Sequence, residues 1–238
     1  MLDFVAVGDV MLDVRLPPAP PGTRQHTEIG VAAGGSAVNA ALAAARLGAR
    51  AAVVGSVGDD TLGDALAAQL AAAGVLSFLT RIDGLATGTT VYVGDAVVAD
   101  RGANSRAAIA EVPPARVTLV SAYLPAPARE QALRLATGLR AVDLQGVLVD
   151  EPAAEVVLGP DLDLDALAPA HDVVCSTLGP NGAVALARGE RAAATPSRIL
   201  DEPLVGAGDA FAAGFLLALA NGELLAECLR RGCDAAIA

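Results

Sequence analysis

Asp209 stands just inside an apolar run that opens with Gly206-Ala207-Gly208, and this grouping is where the sequence first offers chemistry. Glycines leave backbone N–H groups uncovered where a helix begins. The helix dipole adds partial positive charge there, so Gly206, Ala207 and Gly208 make an anion cradle. A carboxylate in that first turn can accept a proton from a hydroxyl while phosphoryl charge is stabilised beside it. An aspartate at a helix start also serves as a cap, and Gly-Ala-Gly also suits a tight turn.

What the 238-residue chain lacks narrows the chemistry. Its 16 basic residues are all arginines, which excludes a GxxxxGK[ST] phosphate loop and any Schiff-base mechanism. His26 and His171 are too few for HExxH or multi-histidine zinc sites. Cys175, Cys228 and Cys233 are odd in number and lack CxxC spacing, which points to a reducing cytoplasm rather than a disulfide framework. A net charge of -11 argues against nucleic acid or an anionic membrane as partner, because neutralising phosphates takes clustered basic side chains. Uncharged stretches such as residues 29–45 contain Gly, Ser and Asn and fall short of the roughly 20 apolar residues of a membrane span. Met1-Leu2-Asp3-Phe4 lacks the basic region of a secretory signal. Asp161, Asp163 and Asp165 alternate without the glycine and terminal glutamate of a calcium loop and read as an exposed polar face. His171 and the cysteines read as structural, and the absence of GxGxxG argues against a dinucleotide enzyme.

These residues need rigid elements behind them. Periodicity predicts strands at Phe4–Val7, Ala51–Val54, Val117–Val120, Gly146–Val149 and Asp172–Cys175. Helices are predicted at Ser36–Leu47, Thr61–Ala73, Glu130–Val142 and Ala207–Ala220, the first two ending at Gly48 and Gly74. Such alternation implies a mainly parallel sheet covered on both faces. Two segments break the rhythm: Val14–Ile29, with Pro17, Pro18, Pro20 and Pro21, and Thr89–Arg101, alternating around Gly94-Asp95. They suit a small β-flap, or two surface hairpins.

Further motifs give these elements a family likeness. Gly34-Gly35-Ser36-Ala37-Val38-Asn39 leads into a helix, and Val54-Gly55-Ser56-Val57-Gly58-Asp59-Asp60 follows it. With the stretch from Gly206 to Phe211, these resemble the two signature regions of the ribokinase-like (PfkB-type) carbohydrate and nucleoside kinases. Gly8-Asp9-Val10-Met11-Leu12-Asp13 is similar to that family's first strand and substrate-binding aspartate, and Thr177-Leu178-Gly179-Pro180-Asn181-Gly182 resembles its T-x-G-x-x-G nucleotide turn. The resemblance implies a three-layer α/β/α sandwich with a β lid. The main domain would comprise residues 1–13, 34–86 and 104–238, and the lid 14–33 and 87–103.

The resemblance also implies an activity: transfer of phosphate from ATP, as its Mg2+ complex, to a hydroxymethyl group of a sugar, sugar derivative or nucleoside. Asp209 would be the general base and Gly206, Ala207 and Gly208 the anion hole. Asp13, Gly34, Gly35, Asn39 and Arg101 would meet the acceptor, and Thr177, Gly179 and Gly182 the nucleotide. Two copies could pair through the lid. Three departures stand against this pattern. No Asn-x-x-Glu is found before the T-x-G-x-x-G turn, where a strand and a helix look missing and Glu151 or Glu155 could substitute only by coincidence. Asp201-Glu202-Pro203 replaces the usual Asp-Thr-Thr, so no monovalent-cation site carries over, and no metal ligands are assigned. With the sequence ending at Ala238, the resemblance implies that the family's final helix and part of its adenine-facing wall would be cut short. The alternative is a non-catalytic sugar- or nucleotide-binding relative that has lost the metal-organising segment.

Overall fold

Alternation along β1 (Leu2–Val7) sets the layering: Phe4 and Ala6 enter one apolar cluster, Val5 and Val7 the opposite one, and all four are buried. A strand buried on both faces belongs at the centre of a covered sheet. The computed structural model describes residues 1–18, 22, 24, 26–94, 96–146, 154–199 and 204–238.

After β1 come β2 (Met11–Leu16), β3 (Gly30–Gly34), α1 (Ser36–Arg46), β4 (Ala51–Gly58), α2 (Thr61–Ala72) and β5 (Leu76–Ile82). Next are β6 (Gly88–Val93), β7 (Ala96–Asp100), β8 (Ala115–Ser121), α3 (Ala126–Leu135), β9 (Leu139–Asp143) and β10 (Val156–Pro160). The chain closes with α4 (Leu164–Leu167), β11 (Val173–Thr177), β12 (Ala183–Ala187), β13 (Glu190–Ala194), α5 (Ala207–Ala220) and α6 (Leu225–Ala236).

The nine-stranded sheet runs β13-β12-β11-β10-β9-β8-β1-β4-β5, and only the pairings of β12 are antiparallel. Side chains of α1, α2, α5 and α6 pack on the Phe4 face, those of α3 and the segment around Ile109 on the other. This is the three-layer arrangement expected. A second sheet, β3-β2-β6-β7, stands apart. Its β2 follows β1 directly, and fully buried Asn104 fixes the junction. Val10 N–H donates to Asn104 Oδ1 and Asn104 Nδ2 donates to Val10 O, both at 3.0 Å.

Two expectations are corrected. The helix placed at Glu130–Val142 is two elements, α3 and β9. Gly138 separates them at φ 70°, where a Cβ would overlap the Ala115 and Arg116 carbonyls, so a helix cannot run through it. The strand and helix that looked missing are present as β10 and α4, between β9 and β11. Val156, Val157 and Leu158 of β10 are fully buried, a continuous apolar run of the kind an interior parallel strand shows. Of the strand expected at Gly146–Val149, Gly146 lies in a turn and residues 147–149 lie outside the described residues. Pro20, Pro21, Asp95, Glu151 and Asp201-Glu202-Pro203 lie outside them too.

Candidate active site

The sheet is built outward from β1 in both directions, first to β4 and β5, then across to β8 and onward to β11. The order therefore reverses between β1 and β8, and the carboxyl ends of strands at such a reversal form a ligand crevice. Ser36 at the start of α1 donates to Ser121 Oγ at the end of β8, at 3.0 Å, across its floor. A small space of about 10 Å³ beside Ser36, Ser121, Asp143, Gln145 and Asp209 is about the size of one water.

Asp209 occupies this crevice from the first turn of α5. The helix begins at Gly206, whose φ is 81°, without a side-chain cap, and the Asp209 carboxylate turns to other elements instead. Asn39 Nδ2, on α1, donates to Oδ2 at 3.0 Å, and Gln145 Nε2, past β9, donates to Oδ1 at 3.1 Å. Gln145 Nε2 also donates to Asp143 Oδ2 at 2.6 Å, and its backbone N–H to Asp143 Oδ1 at 3.1 Å. Burial, seconded by the Asp143 charge, pushes the Asp209 carboxyl up to about 7 against the pull of both amides. Burial alone pushes Asp143 up to about 7 against its bonds from Gln145. The α5 dipole favours the Asp209 anion, but a helix end is worth about 0.3–1 kcal/mol and burial can shift a carboxyl by several times that. Of the cradle amides, Ala207 N–H donates to Leu204 O at 3.1 Å, while half-buried Gly206 packs beside Asn39 and Gly208 is exposed.

Asp13 reaches the crevice from β2 and is 2% exposed. Its Oδ1 has no hydrogen-bond partner, and Tyr92, on β6, donates to Oδ2 at 3.5 Å. Burial raises its carboxyl above the usual range in spite of Arg15 at 3.9 Å. Gly34 exists for this residue: a Cβ there would overlap the Asp13 carboxyl group. Gly35 precedes α1 and packs on the Asp9 carbonyl. The Asp13 charge adds to the forces raising Asp209, which ties the two carboxylates to one crevice.

The remaining expected residues lie elsewhere along the same edge. Arg101 is engaged by protein: Nη2 donates to Asp9 Oδ1 at 2.8 Å and to the Tyr123 carbonyl at 2.7 Å, leaving Nε without a partner. Thr177 ends β11, and Gly179 and Gly182 shape the turn into β12, where Leu178 N–H donates to Gly182 O at 2.8 Å. With β10 between β9 and β11, this turn lies on the order of 10 Å along the edge from Asp143. Asp161 follows β10 on the same edge and is exposed, as are Asp163, which caps α4, and Asp165, which pairs with Arg191. His171 is structural in its contacts, donating to Ala154 O at 3.0 Å, and the three cysteines are free and buried.

A family model described as pfkB family carbohydrate kinase matches residues 1–154 and 158–238. The chain belongs to the pfkB family of carbohydrate kinases. Its fold is the ribokinase-like one: adenosine kinase from Sinorhizobium meliloti aligns at TM-score 0.80 and 24% identity over 99% of this chain and 92% of that one. Ribokinase of Arabidopsis thaliana, complexed with ribose and ATP, aligns at TM-score 0.80 and 21% identity over 99% and 91% of the two chains. Adenosine kinase of Schistosoma mansoni, in complex with adenosine and AMP, aligns at 0.79 and 17% over 98% and 94%. No curated protein matches.

Four residues of this pfkB-family site escaped the sequence: Asp143, Gln145, Tyr92 and Tyr123. The two tyrosines are all that the chain has, and the Asp209 charge helps to raise both phenols. The usable signal for Asp143 was its place: it follows an apolar strand as Asp9 follows β1, once Gly138 is taken as the break.

Proposed function

We propose that the chain is an ATP-dependent kinase that phosphorylates a hydroxymethyl group of a sugar, sugar derivative or nucleoside. One observation carries the proposal: Asp13 with its free oxygen and Asp209 meet in one crevice at the carboxyl ends of the strands, and the Thr177–Gly182 turn lies further along that edge, which supports the order acceptor, base, nucleotide. Asp13 Oδ1 accepts from an acceptor hydroxyl; a carboxylate suits vicinal hydroxyls because it offers only acceptors. Gly34, Gly35 and Asn39 shape the same wall. Asp209 takes the proton of the attacking hydroxymethyl group, its raised carboxyl matched to work near neutral pH.

The nucleotide fits the residues present. The Thr177–Gly182 turn would hold it, and the α5 start at Gly206, Ala207 and Gly208, with Ala207 N–H released from Leu204 O, would meet its phosphates. ATP supplies the phosphoryl group. For magnesium no dedicated cage fits: among the described residues no three His, Cys, Asp or Glu gather as a metal site, and Glu155 is paired with Arg140 at the amino end of β10. The ion of a magnesium nucleotide would ride on the phosphates. Arg101, held by Asp9, braces the acceptor wall. Exposed Val31, Val97 and Val98 on edge strands β3 and β7 support pairing of two copies through the small sheet, to be read by sedimentation. Buried free thiols suit a reducing cytoplasm.

The test is ADP release over a panel of sugars and nucleosides with wild type and Asp209→Asn. Turnover on one acceptor class that the substitution abolishes is the expected result. Thermal stabilisation by ligands without turnover at any magnesium concentration would overturn the reading in favour of a binding protein.

A further inference from the structure

Among the described residues, Gln145 is the one that donates to both Asp143 and Asp209. It sits at φ 49°, a left-handed conformation that a glutamine adopts only when its surroundings compel it. Its backbone N–H and its side-chain amide both go to Asp143, and the same Nε2 reaches Asp209 Oδ1. Asn39 holds the other Asp209 oxygen from the opposite side, from α1. A carboxylate gripped at each oxygen by an amide from a different element cannot rotate, and each oxygen keeps one lone pair free. We infer that Gln145 is a positioning residue: anchored on Asp143, it clamps Asp209 opposite Asn39 and so aims the base at the acceptor hydroxyl. This rests on Asp209 being the base.

The groups that face the clamp set its electrostatics. Asp13 from β2 raises Asp209, and the Asp209 charge in turn raises Tyr92 on β6. Tyr123, beyond β8, faces both Asp143 and Asp209 and is flanked by Asp9 and Arg101. Cys175, on β11, faces Asp143. Among the described residues no arginine bonds Asp143 or Asp209, so the clamp works through neutral amides. Removing the Gln145 donor takes away a bond that favours the Asp209 anion. Removing the Asp143 charge takes away a repulsion that disfavours it. The two changes must therefore move the Asp209 titration in opposite directions, which a merely structural role would not do.

The experiment follows the Asp209 Cγ resonance by carbon NMR in protein labelled at aspartate, assigned by its loss in Asp209→Asn, alongside steady-state kinetics. Gln145→Met is expected to lower kcat about tenfold, leave KM for ATP within about twofold, and move the Asp209 midpoint up. Gln145→Asn, at ease at positive φ but too short to reach, should behave the same and covers the case that Met disturbs the turn. Asp143→Asn is expected to move the midpoint down. An unmoved midpoint with kcat within about twofold in both Gln145 variants overturns the clamp, as does a shift of the same sign in the Gln145 and Asp143 variants. If Asp209→Asn keeps full activity, the base assignment falls, and the carboxyl titrations alone decide the clamp.

Discussion

The two edges of the central sheet treat their acids in opposite ways. At the amino edge, Asp3 in β1 is bonded by Arg50 and held down to about 2, and Glu155 before β10, raised by partial burial, is brought below its ordinary value by its bonds from Arg140. At the carboxyl edge, Asp143 and Asp209 are bonded by neutral amides and pushed up to about 7 by burial, and Asp13 is raised as well. An arginine partner makes a carboxylate a fixed anion, useful for holding strands. An amide partner orients a carboxyl group yet leaves its proton exchangeable near neutral pH. Asp9 at the carboxyl edge is bonded by Arg101, which is why it reads as support. Size is a poor guide to which edge does chemistry. A hollow of about 710 Å³ beside Arg116, Asp172 and Leu224 is at the amino edge.

The comparison is most directly broken at Asp209. Asp209→Asn is expected to cost about 10²–10⁴ in kcat, the usual range for a general base, read in phosphotransfer assays with the best acceptor. Next comes Asp143→Asn, for which the sign follows from the raised carboxyl. The folded protein keeps a proton between about pH 4 and 7 that the unfolded chain has released, so wild-type stability falls as pH rises through that window. The neutral variant escapes this loss. It should gain nothing at pH 4 and up to about 4 kcal/mol above pH 7, at about 1.4 kcal/mol for each tenfold difference in proton affinity between folded and unfolded chains, read by denaturant titration at both pH values. Asp13→Ala should reduce kcat/KM for the acceptor about 10- to 100-fold with KM for ATP unchanged, because a hydrogen bond to a charged group is worth about 1.5–3 kcal/mol. Smallest is the amino edge: Arg140→Gln should cost at most about 1 kcal/mol of stability and leave kcat unaltered, since its pair with Glu155 is partly exposed. An Arg140 variant that changed the pH profile of turnover would erase the distinction between the edges.

Legibility in the sequence followed locality. The cradle around Asp209, the turn at Gly34-Gly35 with Asn39, and the Thr177–Gly182 turn are each written in a few adjacent residues, and each lies on the working edge. Asp143 and Gln145 were hidden because the apolar spacing from Ala132 to Val142 fits a helix as well as a strand, and only the backbone demand at Gly138 decides between them. β10 was hidden because a short interior strand carries no alternation, only an apolar run between polar neighbours. Arg101 shows the remaining limit. Its position near the returning flap strands was readable, but its attachment to Asp9 and to the Tyr123 carbonyl depends on a residue pair 92 positions apart, which no local pattern records.

Asn104 gives the small sheet a pivot. By closing both backbone groups of Val10 with one side-chain amide, it imitates a strand partner at the point where the chain passes from β1 to β2. Any swing of the small sheet turns about that rivet. Asp13, a few residues from it, rides on the short arm, while the β6–β7 tip rides on the long one. A sweep large enough to cover the crevice would thus leave Asp13 Oδ1 almost where it was.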